Sequence, residues 1–575
     1  MPLRRSRRPS SAPVAPAAPR ATPAHLRPLL LLGAAMLLLG GADACRIHPK
    51  RARFTPGPAE KVLNVNMADL QPAIASRIGK ADRPAWVTPD RWSKVRAIYA
   101  TFNNAPLWLE EGGAKDRAKA LVEALRSAPE HALDTTAYPI SAIERIASAK
   151  RLTDTASAAS IADADVLLTS AYVAYAADML SGQVDPTTVS QAWHIGTNKT
   201  ELDSALVRSL QDSDMTLSLK EMQPQDPDYP VLVKAYAHFR KLAASGGWRP
   251  IPATAGPARD AAVRARLAAS FVPDSGSGSA VGDTVGRVAA ADSQPTRAAV
   301  KTTVAGGALG PEIALFQERH GLARTGTLDK QTIATMNVSA EERAKQIAAN
   351  LERHRWLPRT LGTRYVYVNV PAFRLDAYDS GQKQLSMKVV VGKEYEGRVT
   401  PVFSDTMESV VFRPYWNITP DIQAKEVGPK VASDPGYLER ENMEYYKDGG
   451  TTRIRQRPGG KNSLGLVKFL FPNSFNIYLH DTPAKELFNK TDRAASHGCI
   501  RLEKPAEMAQ WVLGWDADRV SAAMNGEDNH AVRVPQKLPV FIVYFTAYMR
   551  DGHLYFADDV YGRDTPLEQK VAKAS

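Results

Sequence analysis

Phe475-Asn476-Ile477-Tyr478-Leu479-His480 and, after fifteen intervening residues, Ser496-His497-Gly498-Cys499-Ile500-Arg501 decide how this chain of 575 residues is read. Both stretches alternate. Ile477 and Leu479 fall on one face of the first, with Asn476, Tyr478 and His480 on the other; in the second, Ile500 and Leu502 oppose Cys499 and Arg501. Two strands of this pattern bring a thiol and an imidazole to one groove. A free thiol has a pKa near ~8.5 and is mostly protonated at neutral pH, so attack on an amide calls for a nearby base or a lowered thiol pKa.

Working outward, the period of two extends over Tyr365–Val370, Phe373–Tyr378, Leu385–Val391, Ser409–Phe412 and Val540–Tyr544, with Gly or Pro breaks between most runs. The expectation is an antiparallel, mostly β domain over 339–562, led in by a helix from Ala340 to Arg355. A polar insertion at about 425–468, dense in Arg453, Arg455, Arg457, Lys461 and glycines, is expected as a lid.

Upstream the period becomes helical. Trp92, Val95, Ile98, Tyr99 and Phe102, then Leu121 and Leu125, then Val166, Tyr172 and Leu180 recur at three- and four-residue steps, and the helices stop at Pro106, Pro129 and Gly182. A helical scaffold domain over 90–270 follows, then a Gly/Ser/Ala-rich linker over 271–305. Residues 45–89 are expected as a tether and 563–575 as a tail. At the N-terminus six arginines precede the apolar run Leu29 to Gly41, and Ala42-Asp43-Ala44 has the form a signal peptidase reads. Residues 1–44 are therefore expected to be a signal peptide or N-terminal anchor that exports the chain to the periplasm; a lipid anchor at Cys45 is the minority alternative, because Asp43 is a poor residue just before a lipobox end. The membrane is then met only through this segment.

Composition bounds the rest. With 44% apolar and 23% charged residues the chain is globular, and with two cysteines, Cys45 and Cys499, neither a disulfide framework nor a zinc ribbon is available. The net charge of +12 falls to about +7 outside the N-terminal arginines, too mild to indicate nucleic acid. No HExxH or clustered Cys/His set is present, so neither metal nor cofactor is expected.

A histidine followed at this spacing by Ser-His-Gly-Cys resembles the YkuD-type catalytic domain of L,D-transpeptidases. The likeness to the large multidomain Gram-negative members extends to Arg355-Trp356-Leu357-Pro358, Phe412-Arg413-Pro414-Tyr415-Trp416-Asn417, Pro458 to Gly465, His480-Asp481-Thr482-Pro483, Pro106-Leu107-Trp108 and Gly182-Gln183-Val184-Asp185-Pro186. Phe316-Gln317, His320-Gly321-Leu322, Gly326 and Thr332 to Asn337 resemble the small three-helix peptidoglycan-binding module, placed at 306–338. Arg501 stands where the shorter members carry asparagine and points to the large subclass.

The resemblance implies Cys499 as nucleophile, His480 as general acid/base, and His497, Gly498 and Ser496 as its supporting loop. Gly498 lacks a Cβ where the amides of His497, Gly498 and Cys499 approach an oxyanion; losing one such donor typically costs about 10²- to 10³-fold in rate. Arg501 is the candidate for a stem-peptide carboxylate, with Tyr478, Trp416 and Asn417 as groove residues. The implied reaction is acyl transfer from a tetrapeptide stem of peptidoglycan to a diaminopimelate amine, with carbapenem-type β-lactams as covalent inhibitors. Water as acceptor gives an L,D-carboxypeptidase, and a protein lysine gives an anchoring transpeptidase. A non-catalytic wall-binding scaffold is the reading from a different class, and order and flanks do not resemble papain-like proteases.

Overall fold

The computed structural model describes residues 60–80, 83–111, 113–148, 156–196, 199–273, 309–393 and 398–572. The expected signal segment, Cys45, the first part of the tether and linker residues 274–305 lie outside these.

Helices α1 (Met67–Gly79), α2 (Pro89–Thr101), α3 (Asp116–Ser127), α4 (Ile140–Ser148), α5 (Ala158–Ser181), α6 (Lys199–Gln211) and α7 (Met215–Glu221) come first, and one apolar core runs from Val62 to Met222. α5 is its axis. Ser157 and Ser160 cap it reciprocally, Gly182 ends it at φ +83°, and it is buried nearly all round. Its buried Asp165 accepts the Tyr99 hydroxyl at 2.7 Å and the amides of Leu107 and Trp108 at 2.9 and 2.8 Å, which satisfies the carboxyl and fixes the turn after α2.

Residues 60–80 are not a tether. Leu70, Ile74 and Ile78 of α1 fall at four-residue steps and are buried in the α5 core. Pro72 inside the helix and the Pro/Arg-rich flanks disguise that stripe.

The later helices also pack differently from the expected 90–270 unit. α8 (Tyr229–Ala244) joins α12 (Ala340–Arg355) on the β domain, whereas α9 (Pro257–Ala268), α10 (Gly310–Arg319) and α11 (Lys330–Met336) share a small core of Ile251, Val263, Ile313, Phe316 and Met336. Two helices of this cluster come from the segment expected as a three-helix module, and the third precedes the linker. Linker composition marks a break in the chain, and packing runs across it.

The β domain is a mixed sheet. Its strands are β1 (Arg364–Asn369), β2 (Arg374–Asp379), β3 (Gln382–Gly392), β4 (Phe403–Phe412), β8 (Val467–Leu470), β9 (Leu479–His480), β10 (Ala494–Ser496), β11 (Ile500–Leu502) and β12 (His530–Val543). The order is β10-β3-β11-β9-β8-β4-β12-β1-β2, and β2 pairs back onto β3, so the sheet closes. It departs from the antiparallel expectation at three pairs, β9 with β11, β10 with β3, and β12 with β1, which are parallel. α13 (Pro505–Leu513) and α14 (Ala517–Asn525) add Met508, Ala509, Val512 and Val520 to its core. The expected tail is α15 (Asp564–Ala572), which buries Leu567 and Val571 at four-residue spacing and pairs Asp564 with Arg353 at 2.6 Å.

The insertion has its own core of Ile418, Val427, Met443 and Ile454 and its own sheet of β5 (Trp416–Asn417), β6 (Met443–Asp448) and β7 (Thr451–Gln456). It therefore begins before residue 425. It also ends before 468, because Val467 and Phe469 alternate into the main core as part of β8.

Candidate active site

β9 and β11 lie side by side in parallel, with Leu479 opposite Ile500 and His480 opposite Arg501. Leu479 and Ile500 are fully buried in the core, which leaves Tyr478, His480, Cys499 and Arg501 to the other face. Antiparallel β8 sets Lys468 opposite His480 on that same face. Parallel neighbours need a crossover, and residues 481–499 supply it; the spacing in sequence between imidazole and thiol is the length of that crossover.

The thiol of half-buried Cys499 donates to the Asn476 carbonyl at 3.6 Å, and Asn476 sits at φ +54°, which breaks the expected strand before Leu479. Burial pushes the thiol up; the Tyr478 amide and hydroxyl, Lys468 and Arg501 pull the other way without overcoming it. The resting sulfur is thus protonated at neutral pH.

His480 does not look out to solvent as its strand position suggests; it is buried, 4% exposed. Burial first, then Arg501 and Lys468, bring it down to about 3, so the ring is neutral. Its Nδ1 meets the Asp481 carbonyl at 2.5 Å and carries the hydrogen there, which leaves Nε2 as the basic nitrogen. Among the described residues no hydrogen bond joins the thiol and the imidazole: they share a face, the thiol meeting the Asn476 carbonyl and the ring the Asp481 carbonyl, with the Leu464 backbone also acting on the ring.

Asp481 is fixed in turn. Its amide donates to Val467 O at 2.9 Å, and its carboxylate accepts the Leu466 amide at 2.9 Å, the Thr482 amide at 2.7 Å and Lys485 Nζ at 2.6 Å. Gly465 lies against it at φ +64°, where a Cβ would stand 2.3 Å from Asp481 Cγ.

In the nucleophile loop Ser496 Oγ donates to Cys499 O at 2.6 Å and accepts the Gly498 amide at 3.2 Å. The Gly498 amide is therefore turned inward rather than toward an oxyanion, a correction to the three-donor expectation. Gly498 instead supplies φ +114° and a carbonyl that accepts Thr400 Oγ1 at 2.8 Å. His497 is exposed, and its Nε2 meets Glu426 Oε1 of the insertion at 2.7 Å; Arg398 Nη2 donates to the same oxygen at 2.7 Å. Burial works against the Glu426 charge, yet His497 and Arg398 hold its carboxyl below the usual range. Arg501 is half-buried, with an Nε that has no partner among the described residues. Trp416 packs on the insertion's core, and Asn417 lies opposite Arg455 in its sheet, so both expected groove residues belong to the insertion.

The helical region reaches this site directly. Val402 exchanges backbone hydrogen bonds with Ala192 and His194, both at 2.7 Å, and the His194 ring lies 4.4 Å from Phe475, next to Asn476. Sequence reading missed these contacts, as it missed Lys468, Glu426 and the Asp481 carbonyl. The alternation Val467-Lys468-Phe469 carried the signal for Lys468; a backbone carbonyl that orients an imidazole leaves none in side-chain patterns.

Comparison with known proteins matches two parts of the chain. A scaffold-domain family model matches residues 93–235, and an L,D-transpeptidase catalytic domain model, YkuD, matches 363–542. A curated Haemophilus influenzae protein described as "Putative L,D-transpeptidase" is 31% identical over 271 residues, covering 43% of this chain and 54% of its own length; the chain thus spans about half of that relative. Among solved structures, the L,D-transpeptidase of Xylanimonas cellulosilytica is 15% identical over 40% of this chain and 78% of its own, with a TM-score of 0.16. An Ldtfm–avibactam carbamoyl enzyme is 11% identical over 36% of this chain and 64% of its own, with a TM-score of 0.15. The span 363–542, which matches the L,D-transpeptidase catalytic domain model YkuD, contains all but the last residue of the closed sheet, together with Cys499 and His480.

Proposed function

We propose that this protein is a peptidoglycan L,D-transpeptidase that forms 3→3 cross-links by cysteine acyl transfer. The observation that carries the reading is a half-buried thiol and a neutral, carbonyl-oriented imidazole on one face of two adjacent parallel strands. As the sulfur attacks the carbonyl carbon of the L-centre of diaminopimelate in a tetrapeptide stem, the thiol proton passes to Nε2 of His480. The same proton then leaves on the amine of departing D-alanine, and a thioester to Cys499 remains. The side-chain amine of a second diaminopimelate attacks that thioester, gives up a proton to His480, and leaves an amide; the proton returns to the sulfur. Arg501 offers a two-pronged contact to a stem carboxylate. The insertion, tied to the nucleophile loop through Glu426 and His497, covers the bound stem, and the cluster around α10 and α11 holds the wall. Export by residues 1–44 to the periplasm and acylation of Cys499 by carbapenem-type β-lactams belong to the same reading.

Incubating the purified protein with tetrapeptide muropeptides and weighing the products tests it. Dimers joined between two diaminopimelates, absent with Cys499→Ala, are the expected result. Tripeptides alone would mean water is the acceptor, and no product with either protein would leave only a wall-binding role.

A further inference from the structure

Lys468 stands on β8 directly opposite His480, on the face that carries the thiol. It is half-buried, and its ammonium lies 5.4 Å from the centre of the Tyr478 ring, whose hydroxyl and amide turn to Cys499. Arg501 flanks the thiol from β11. Neither cation has a carboxylate within 4 Å among the described residues: Glu486 acts on Arg501 only at longer range, and the Asp481 carboxylate is taken by Lys485. On the insertion, Glu426 is taken by His497 and Arg398. A half-buried pair of cations without counter-charge is costly unless the site has use for it.

We infer that Lys468 is a positioning residue of the nucleophile, forming with Arg501 a two-cation flank whose missing counter-charge is the sulfur anion of the reacting enzyme. The inference rests on Cys499 as nucleophile and goes beyond the reaction proposed above. One arrangement serves both partners. The same two charges that favour a negative sulfur also disfavour a positive imidazole, and so keep His480 in the form that accepts a proton. Through its contact with the Tyr478 ring, Lys468 also holds that tyrosine on the thiol side.

The test is the pH dependence of Cys499 alkylation by iodoacetamide in the full-length protein, for wild type, Lys468→Met and Lys468→Arg. The Met variant is expected to titrate its thiol about one pH unit higher and to react roughly tenfold more slowly at pH 7, with the Arg variant near wild type. Should the Met variant not fold, Lys468→Gln gives the same comparison. Superimposable profiles for wild type and the neutral variant would overturn the inference, as would a folded Arg variant slowed as much as the neutral one. Alkylation needs no muropeptide, so a Lys468-dependent profile in a protein that turns over no stem peptide would sink the proposed function and leave this inference standing.

Discussion

Gly465 shows how tightly a single backbone position governs the setting of His480. A side chain there meets both a positive φ of 64° and the Asp481 carboxyl at 2.3 Å, and Asp481 is the residue whose carbonyl orients His480. Gly465→Ala is expected to cost about 1–3 kcal/mol of stability from the strained conformation and to lower turnover beyond that, by turning the imidazole. Denaturant unfolding beside muropeptide turnover separates the two effects. His320 allows a cleaner pH test. Its ring is stacked 3.8 Å from Phe316 and 5.4 Å from Phe556, its Nε2 has no partner among the described residues, and burial, with Arg343 and Arg266, holds it well below the usual histidine range. Below pH ~6.5 the unfolded chain takes up a proton there that the folded one refuses, so stability is lost as the pH falls. Relative to wild type, His320→Phe should gain about 2 kcal/mol between pH 8 and pH 5 in urea unfolding. At this scale Cys499 and His480 were legible because a thiol and an imidazole in a fixed motif are conspicuous. Asp481 acts through its backbone, and Lys468 looked like one more charge in a charged stretch.

The insertion reads differently as an element than as a run of charges. Sequence reading saw arginines and glycines and placed its ends too late. The structure gives it a core of four buried apolar side chains and ties it to the nucleophile loop through a π-helical turn, Gln423–Val427, that presents Glu426. π-turns often sit at functional sites, because the extra residue re-aims the side chains around it. Glu426→Ala is expected to release the insertion: cleavage by added protease within residues 425–457 should quicken, and iodoacetamide should reach Cys499 two- to fivefold faster, by an order-of-magnitude reading of losing a charge-assisted bond. Unchanged protection would mean that the insertion is held by its other contacts. Strand direction was the other loss at this scale. Alternation predicts which face a residue takes and says nothing of which way its neighbour runs, so the parallel pairing of β9 with β11 was invisible although the inward facing of Leu479 and Ile500 was not.

Across the whole molecule, two segments that the sequence offered only as separate resemblances meet in space. Val184 donates its amide to Glu352 at 2.8 Å and accepts the Trp356 indole at 2.9 Å, while Arg355 pairs with Glu352 at 2.6 Å and reaches Tyr229 and the His131 carbonyl. Gly182 is required there, since a Cβ would fall 2.4 Å from Glu352 Oε1. Glu352→Ala leaves a buried arginine without its partner and is expected to lose about 3–5 kcal/mol, read by chemical denaturation. Glu352→Gln, which keeps an acceptor for Val184, should lose less. Helices and their stops were largely readable, because caps and periodicity are local. Which helices share a core was not, because α1, α8 and α9 each pack across a break in composition.

The catalytic sheet pairs back onto itself from β2 to β3 and carries only the three-residue β10 as a rider. A ring of this kind exposes no long rim of unpaired amides and carbonyls, so a stray extended chain finds nowhere to zip on. A sheet closed in this way can lie beside an extended peptide without being recruited into a growing fibre.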